Sequence, residues 1–292
     1  MFNLLRSDFY RLVRWRTFWV YGAVMVGIVV AAACMLAYVA APDYASTASS
    51  EAVDQIDYQE AMADYPFLED RHLPSLSYAW AQMLCSGLLA LMGSLLAAVF
   101  LAGEFSGGFI KNLLMSPRGR ALYYGEKLLF IALLQGILLL LGVAAATVSF
   151  WAVGFSYGNG DGIGCLILWL GELWLMAIAY AFITACITWV VRSEWGGVVA
   201  AMLISSGMVG TVLLQLCAFS ATAYPWMQQA AYLLPFTCDK MILQKGAEAL
   251  FAQNAAIPIA GMAPWVWVML VMFAYIAACA AVALGILRKR DI

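Results

Sequence analysis

Six stretches of the chain are almost wholly apolar, and the polar residues collect between them. The apolar runs cover about residues 18–40, 79–101, 127–153, 163–190, 197–219 and 264–287. Each is twenty residues or longer, enough for a helix to cross a bilayer. In lipid a backbone can satisfy its N–H and C=O groups only internally, so such runs predict transmembrane helices. The pattern predicts an all-α membrane protein with six transmembrane helices. It forms one membrane domain over 1–292 with no separate soluble domain.

Composition agrees. The chain is 65% hydrophobic and 11% charged, with a mean hydropathy of +0.88. The net charge of −2 says little, because charge is sorted by position. Arg6, Arg11, Arg14 and Arg16 precede the first run, and Lys111, Arg118, Arg120 and Lys127 lie around the second connector. With Arg192 and the closing Arg288, Lys289 and Arg290, twelve of the 15 basic residues fall on one side. Arg71, Lys240 and Lys245 fall on the other. Excess Lys and Arg mark the cytoplasmic side, so both termini are predicted there. No run of like charge suggests a nucleic-acid arm. The first run is longer than a signal-peptide core, so "AYVAAPD" after it is not read as a cleavage site.

The connectors differ in kind. Residues 1–17 contain a candidate amphipathic helix. Phe2, Leu5, Phe9, Leu12 and Val13 share one face, opposite Arg6, Ser7, Tyr10, Arg11 and Arg14. A basic polar face suits the headgroups of an anionic inner leaflet, so membrane lipid is an expected partner. The helix serves as an orientation signal, as an in-plane brace, or as both. The outer segment 41–78 carries eight acids against Arg71 alone, an ordinary polar loop more than a capture surface for cations. "GFSYGNGDG" at 154–162 is a glycine-rich turn. "RSEWGG" forces an antiparallel hairpin between the fourth and fifth spans. The outer segment 220–263 is too apolar for a solvated loop, and Pro225 and Pro235 interrupt it. It reads as interfacial or re-entrant helices before the sixth span.

Few groups offer chemistry. The seven cysteines include no CxxC pair and lie mostly in apolar runs, where they act as small hydrophobes. His72 is the only histidine, so no metal site is assigned. Glu172 is the one acid deep in a span, with no Lys or Arg at depth to meet it. A charge there is costly, so Glu172 either faces a polar crevice at a substrate pathway or subunit seam, or is protonated between helices. Gln215 in the outer half of the fifth span could share its depth. Gln135 is expected to make an interhelical hydrogen bond. Ser206, Gly207, Gly210 and Thr211 are expected to let helices approach closely.

The cytoplasmic segment 102–126, "AGEFSGGFIKNLLMSPRGRALYYGE", is the most elaborate connector. Glu104 closes the second span, Gly107 and Gly108 let the chain turn, "FIKNLLM" can form a short surface helix, and Pro117 stops it. Glu104, Gly108, Pro117, Arg120 and Lys127, with the amphipathic start, six spans and "YLLPFT" before the last span, resemble the permease subunits of type-two ABC exporters. The resemblance covers nearly the whole chain. It implies that the connector is a coupling helix docked in a separate ABC ATPase through Glu104, Phe105, Gly108, Phe109, Lys111, Asn112, Pro117 and Arg120. It implies that Arg6, Arg11 and Arg14 lie on the connecting helix, and that Glu104 steadies the hinge through backbone or basic groups. Two permeases, identical or related, and two ATPases would form the exporter, in the plasma (inner) membrane of a bacterium.

No G-x-x-x-x-G-K-[ST] loop occurs in the sequence, so ATP and Mg are expected on the partner and no cofactor on this chain. The expected cargo is an antimicrobial peptide, drug or lipid, and the chain is not expected to be an enzyme by itself. Two other classes compete. An ion-coupled secondary transporter would use Glu172 as its proton site, but the expected internal repeat is missing. A membrane enzyme lacks clustered catalytic groups, while a non-transporting sensor subunit remains an alternative within the same complex.

Overall fold

The computed structural model describes residues 2–39, 72–84, 87–106, 117–158, 160–220, 224, 226–241, 246–247 and 261–286. Helix α1 runs Phe2–Arg14 and α2 Arg16–Val39. Then follow α3 (Leu76–Leu84), α4 (Leu88–Ser106), α5 (Pro117–Ala152) and α6 (Ile163–Val191). The chain continues through α7 (Glu194–Ser205), α8 (Met208–Ser220), α9 (Trp226–Ala230), α10 (Pro235–Met241) and α11 (Pro264–Ala281). Two-residue strands, β1 (His72–Leu73) and β2 (Ser156–Tyr157), pair in parallel. The 154–162 turn therefore contributes a strand as well as a reversal.

Among the described residues, four helices are long and apolar enough to cross a membrane: those over residues 16–38, 122–152, 163–191 and 264–285. Two bent pairs, α3 with α4 and α7 with α8, bring the number to six if each pair is one span. The chain is thus an all-α, multi-pass membrane protein. Proline at the first turn starts α5 and α11, where its missing N–H costs nothing. Arg192 ends α6 in the left-handed region (φ 54) and returns its N–H to Thr188 O, which turns the chain tightly into α7.

Spans two and five are not the straight helices the apolar runs suggested. The first bends by 48° near Gly87 (φ +90) and the second by 49° at Gly207 (φ +79). Only glycine holds such angles without strain, so each break is written into the chain. Apolar periodicity cannot reveal a break whose two flanks are equally apolar. The small residues of span five let a neighbouring helix approach closely, as expected, and that neighbour is α10. A Cβ on Gly207 or Gly210 would come within 2.5 Å of Phe236, so α10 is wedged into the bend.

The end of the bundle where α3 and α6 begin is tied by polar contacts. Asp161 accepts hydrogen bonds from Ser77 N–H (2.8 Å) and Ser77 Oγ (2.9 Å) at the start of α3. A carboxylate there satisfies a free helix N–H and opposes the positive end of the helix dipole. Ala247 N–H donates to Ser77 Oγ (2.9 Å), and His72 Nδ1 lies 2.8 Å from Ser156 Oγ. Inside the bundle, Thr147, Thr184, Thr188 and Thr211 return their hydroxyl protons to backbone carbonyls one turn back.

Gln135 departs from expectation. It is fully buried, but neither amide atom has a hydrogen-bond partner. Its amide lies against Gly93, where even a Cβ would fall 2.0 Å from Oε1. The side chain fills the notch left by a glycine on α4 instead of bonding across it.

Candidate functional site

Helix α1 brings Asp8 and Arg11 to one point at i, i+3 spacing. The last turns of α4 bring Glu104, and the start of α5 brings Tyr123, Glu126 and Lys127. Lys127 Nζ donates to Glu104 Oε1 at 2.7 Å and also to Asp8. It lies 3.7 Å from Glu126 Oε2. Arg11 Nη1 donates to Glu104 Oε1 at 2.9 Å and lies 3.6 Å from Asp8 Oδ1. Tyr123 OH donates to Glu104 Oε2 at 2.7 Å. Both oxygens of Glu104 are thus engaged.

The knot is dry. Glu104 is 1% exposed, Lys127 2% and Asp8 4%, whereas the Arg11 side chain is 41% exposed. Aromatic rings close its membrane side. Phe100 and Phe130 stack at 4.7 Å, Phe9 meets Phe130 edge-on at 5.4 Å, and Trp15 meets Phe100 at 5.8 Å. Lys127 Nζ lies 5.2 Å and Arg11 Cζ 5.5 Å from the Phe100 ring centre. In so dry a site a lone charge is costly, and the ions are tolerable because each carboxylate faces a cation. The network locks together α1, the last turns of α4 and the start of α5.

The sequence-derived residues sort as follows. The structure brings Arg11 and Glu104 together. Arg6 and Arg14 are exposed on α1, with the Arg14 guanidinium 4.6 Å from the Tyr10 ring centre. Phe105 lies in the last turn of α4, and Pro117 and Arg120 in the first turn of α5. Gly108, Phe109, Lys111 and Asn112 lie outside the described residues, as do the acids of the first outer segment up to Asp70. The amphipathic face of α1 is shifted from the expected one. Val13 is 57% exposed, while Asp8 turns inward beside Leu12.

Sequence reasoning missed Asp8, Tyr123 and Glu126. The available signal was an acid on the apolar side of a basic helix, matched by an acid-lysine pair at the head of a long apolar run. Neither means much until the ends of α1, α4 and α5 are seen to meet.

Glu172 and Gln215 are not joined. Glu172 is 1% exposed in α6, with no hydrogen-bond partner at either oxygen. Gln215 is exposed on α8, which has no buried residue. The buried neighbours near Glu172 come instead from α10. Burial pushes the Cys238 thiol up to about 12, and Asp239 and Glu172 push it the same way.

This is a bundle of four long apolar helices and two broken ones, with an ion-paired base beneath the second and third spans. It belongs to the class of multi-pass membrane transport proteins. The chain is a member of the ABC-2 transporter family, whose family profile matches residues 4–208. The match runs from the amphipathic helix through the first residue of α8 and includes every residue of the ion knot. No curated protein matches the chain. Membership gives it a transport permease role as a membrane component.

Proposed function

We propose that the chain is the permease subunit of an ATP-driven exporter and that the knot of Asp8, Arg11, Glu104 and Lys127 is the fulcrum of its coupling segment. Residues 102–126 act as the coupling helix in a cleft of a separate ABC ATPase, which binds ATP and Mg. Two such ATPases work on two permeases, each chain lying in the plasma membrane of a bacterium with both termini cytoplasmic. The observation that carries the reading is the buried ion network. A push on residues 107–116 is delivered to Glu104 on one side and Lys127 on the other, and their bond passes it to α1 as well. Packed, ion-paired helices shift as rigid bodies between discrete arrangements, so a small movement at the base rocks whole spans. The cargo, moved outward, is an amphipathic molecule such as an antimicrobial peptide, drug or lipid.

Affinity purification from the native membrane, with mass spectrometry of what stays bound, tests the reading. A stoichiometric soluble protein with a P-loop is expected. A chain that emerges alone even after cross-linking refutes it and returns attention to Glu172 as the proton site of an ion-coupled carrier.

A further inference from the structure

Helix α1 and the last turns of α4 border a cavity of about 450 Å3, lined by Tyr10, Arg11, Arg14, Trp15, Phe100 and Gly103. Among the described residues no acid lines it. Arg11 and Arg14 stand at i, i+3 spacing, which puts both cations on one face of α1. Each sits over an aromatic ring of the lining. The Arg14 guanidinium is 4.6 Å from the Tyr10 ring centre, and that of Arg11 is 5.5 Å from the Phe100 ring centre. An arginine held over a ring keeps its charge and its forked donors, the geometry that suits a phosphate. The exposed Tyr10 adds a hydroxyl.

The cavity stands at the level of lipid headgroups. The span of α2 begins at Arg16, directly after Trp15, and the α3–α4 pair ends at Glu104, directly after Gly103. Tryptophan and arginine collect at that boundary. About one turn further into α4, the buried Phe100 gives the cavity an apolar wall. A Cβ on Gly103 would meet nothing within 4 Å, so this side of α4 is open to a ligand. The cavity thus offers cations and then hydrocarbon, the order in which a phospholipid presents phosphate and acyl chain.

We propose that this cavity is a site for one anionic phospholipid. Its phosphate meets Arg14 and Arg11 with Tyr10 beside it, and its glycerol and first acyl carbons lie against Gly103 and Phe100. Two cations without an acid suit a headgroup of net negative charge, whereas the ammonium of a zwitterionic lipid meets only like charge. Arg11 keeps its bond to Glu104 at 2.9 Å, so the bound lipid lies one side chain from the ion knot. The general attraction of a basic helix to an anionic surface needs no cavity, and the two are separable by experiment.

Native mass spectrometry of the purified full-length permease tests this with equal amounts of dioleoylphosphatidylglycerol and dioleoylphosphatidylethanolamine. Phosphatidylglycerol should be retained over phosphatidylethanolamine by roughly tenfold or more, the effect of two basic residues on an anionic headgroup. Gly103→Leu keeps every charge and fills the cavity from an open position, so it should abolish the preference. Arg14→Gln, which lies outside the ion knot, should lower it by roughly fivefold, and it decides the matter if Gly103→Leu does not fold. Equal retention of the two lipids, or retention of neither, overturns the proposal. A folded variant with the parent's preference leaves only the general attraction and overturns it as well. Inorganic phosphate in large excess should not displace the lipid more than chloride of equal ionic strength. Displacement by phosphate alone assigns the site to a soluble anion and refutes the lipid. The readout uses the permease by itself, so its failure differs from failure to recover an ATPase.

Discussion

Lys127→Met removes the one ammonium at the centre of the buried knot while keeping an unbranched apolar stem. Asp8 and Glu104 lose their shared partner, and Glu126 loses the cation 3.7 Å away. Arg11 remains and still donates to Glu104 at 2.9 Å, but it reaches Asp8 only at 3.6 Å, so Asp8 bears most of the loss. Stripping one member from a buried ion pair costs about 3–5 kcal/mol, because the partner stays buried without compensation. At 1.4 kcal/mol per decade this is roughly a hundred- to several-thousand-fold loss in the folding equilibrium. The assay is unfolding of the permease in mixed micelles by added dodecyl sulfate, followed through its 11 tryptophans. The midpoint should fall clearly. The quadruple variant Asp8→Asn, Glu104→Gln, Glu126→Gln, Lys127→Met removes the three orphaned carboxylates as well and should recover most of the loss. A single variant with the parent midpoint, or a quadruple variant no better than the single, refutes the claim that charge balance holds the knot.

Three further outcomes are expected. Gly210→Val should lower thermal stability by about 1–3 kcal/mol through overpacking, since its new side chain collides with Phe236. The loss should be smaller in a Phe236→Ala background, and equal losses in both would exclude the wedge. Gln135→Met should raise the midpoint by about 1 kcal/mol or more, because it replaces a buried amide that bonds to nothing with a similar apolar shape; a drop would show that the amide has a partner. Glu172→Gln keeps size and removes the ionisable group, so transport should fall while expression and unfolding stay near the parent. Normal transport in reconstituted vesicles would remove Glu172 from the pathway.

The sequence carried the membrane class because length and apolarity decide it. The runs at 18–40, 127–153, 163–190 and 264–287 correspond to single helices because no glycine with a positive φ interrupts them. The two runs that break do so at Gly87 and Gly207, which look like any small residue in an apolar stretch. Phe236, which occupies the second bend, lies almost thirty residues further on. Glu104 and Lys127 were legible as residues of interest at the edges of their spans, and Arg11 as part of a basic face. Their common partner Asp8 was not, since its meaning depends on a contact across 119 residues. Glu172 was visible as a lone buried acid, but its neighbours on α10 were hidden in a segment that periodicity could only mark as interrupted.

The bend of span five also has an order in time. During synthesis α7 and α8 are polymerised before Phe236, so nothing yet fills the notch at Gly207 and Gly210. The phenylalanine of α10 fills it only after both glycines have been made. The last step in shaping span five therefore belongs to residues outside it. A chain truncated just before Phe236 would lack the packing that holds this kink.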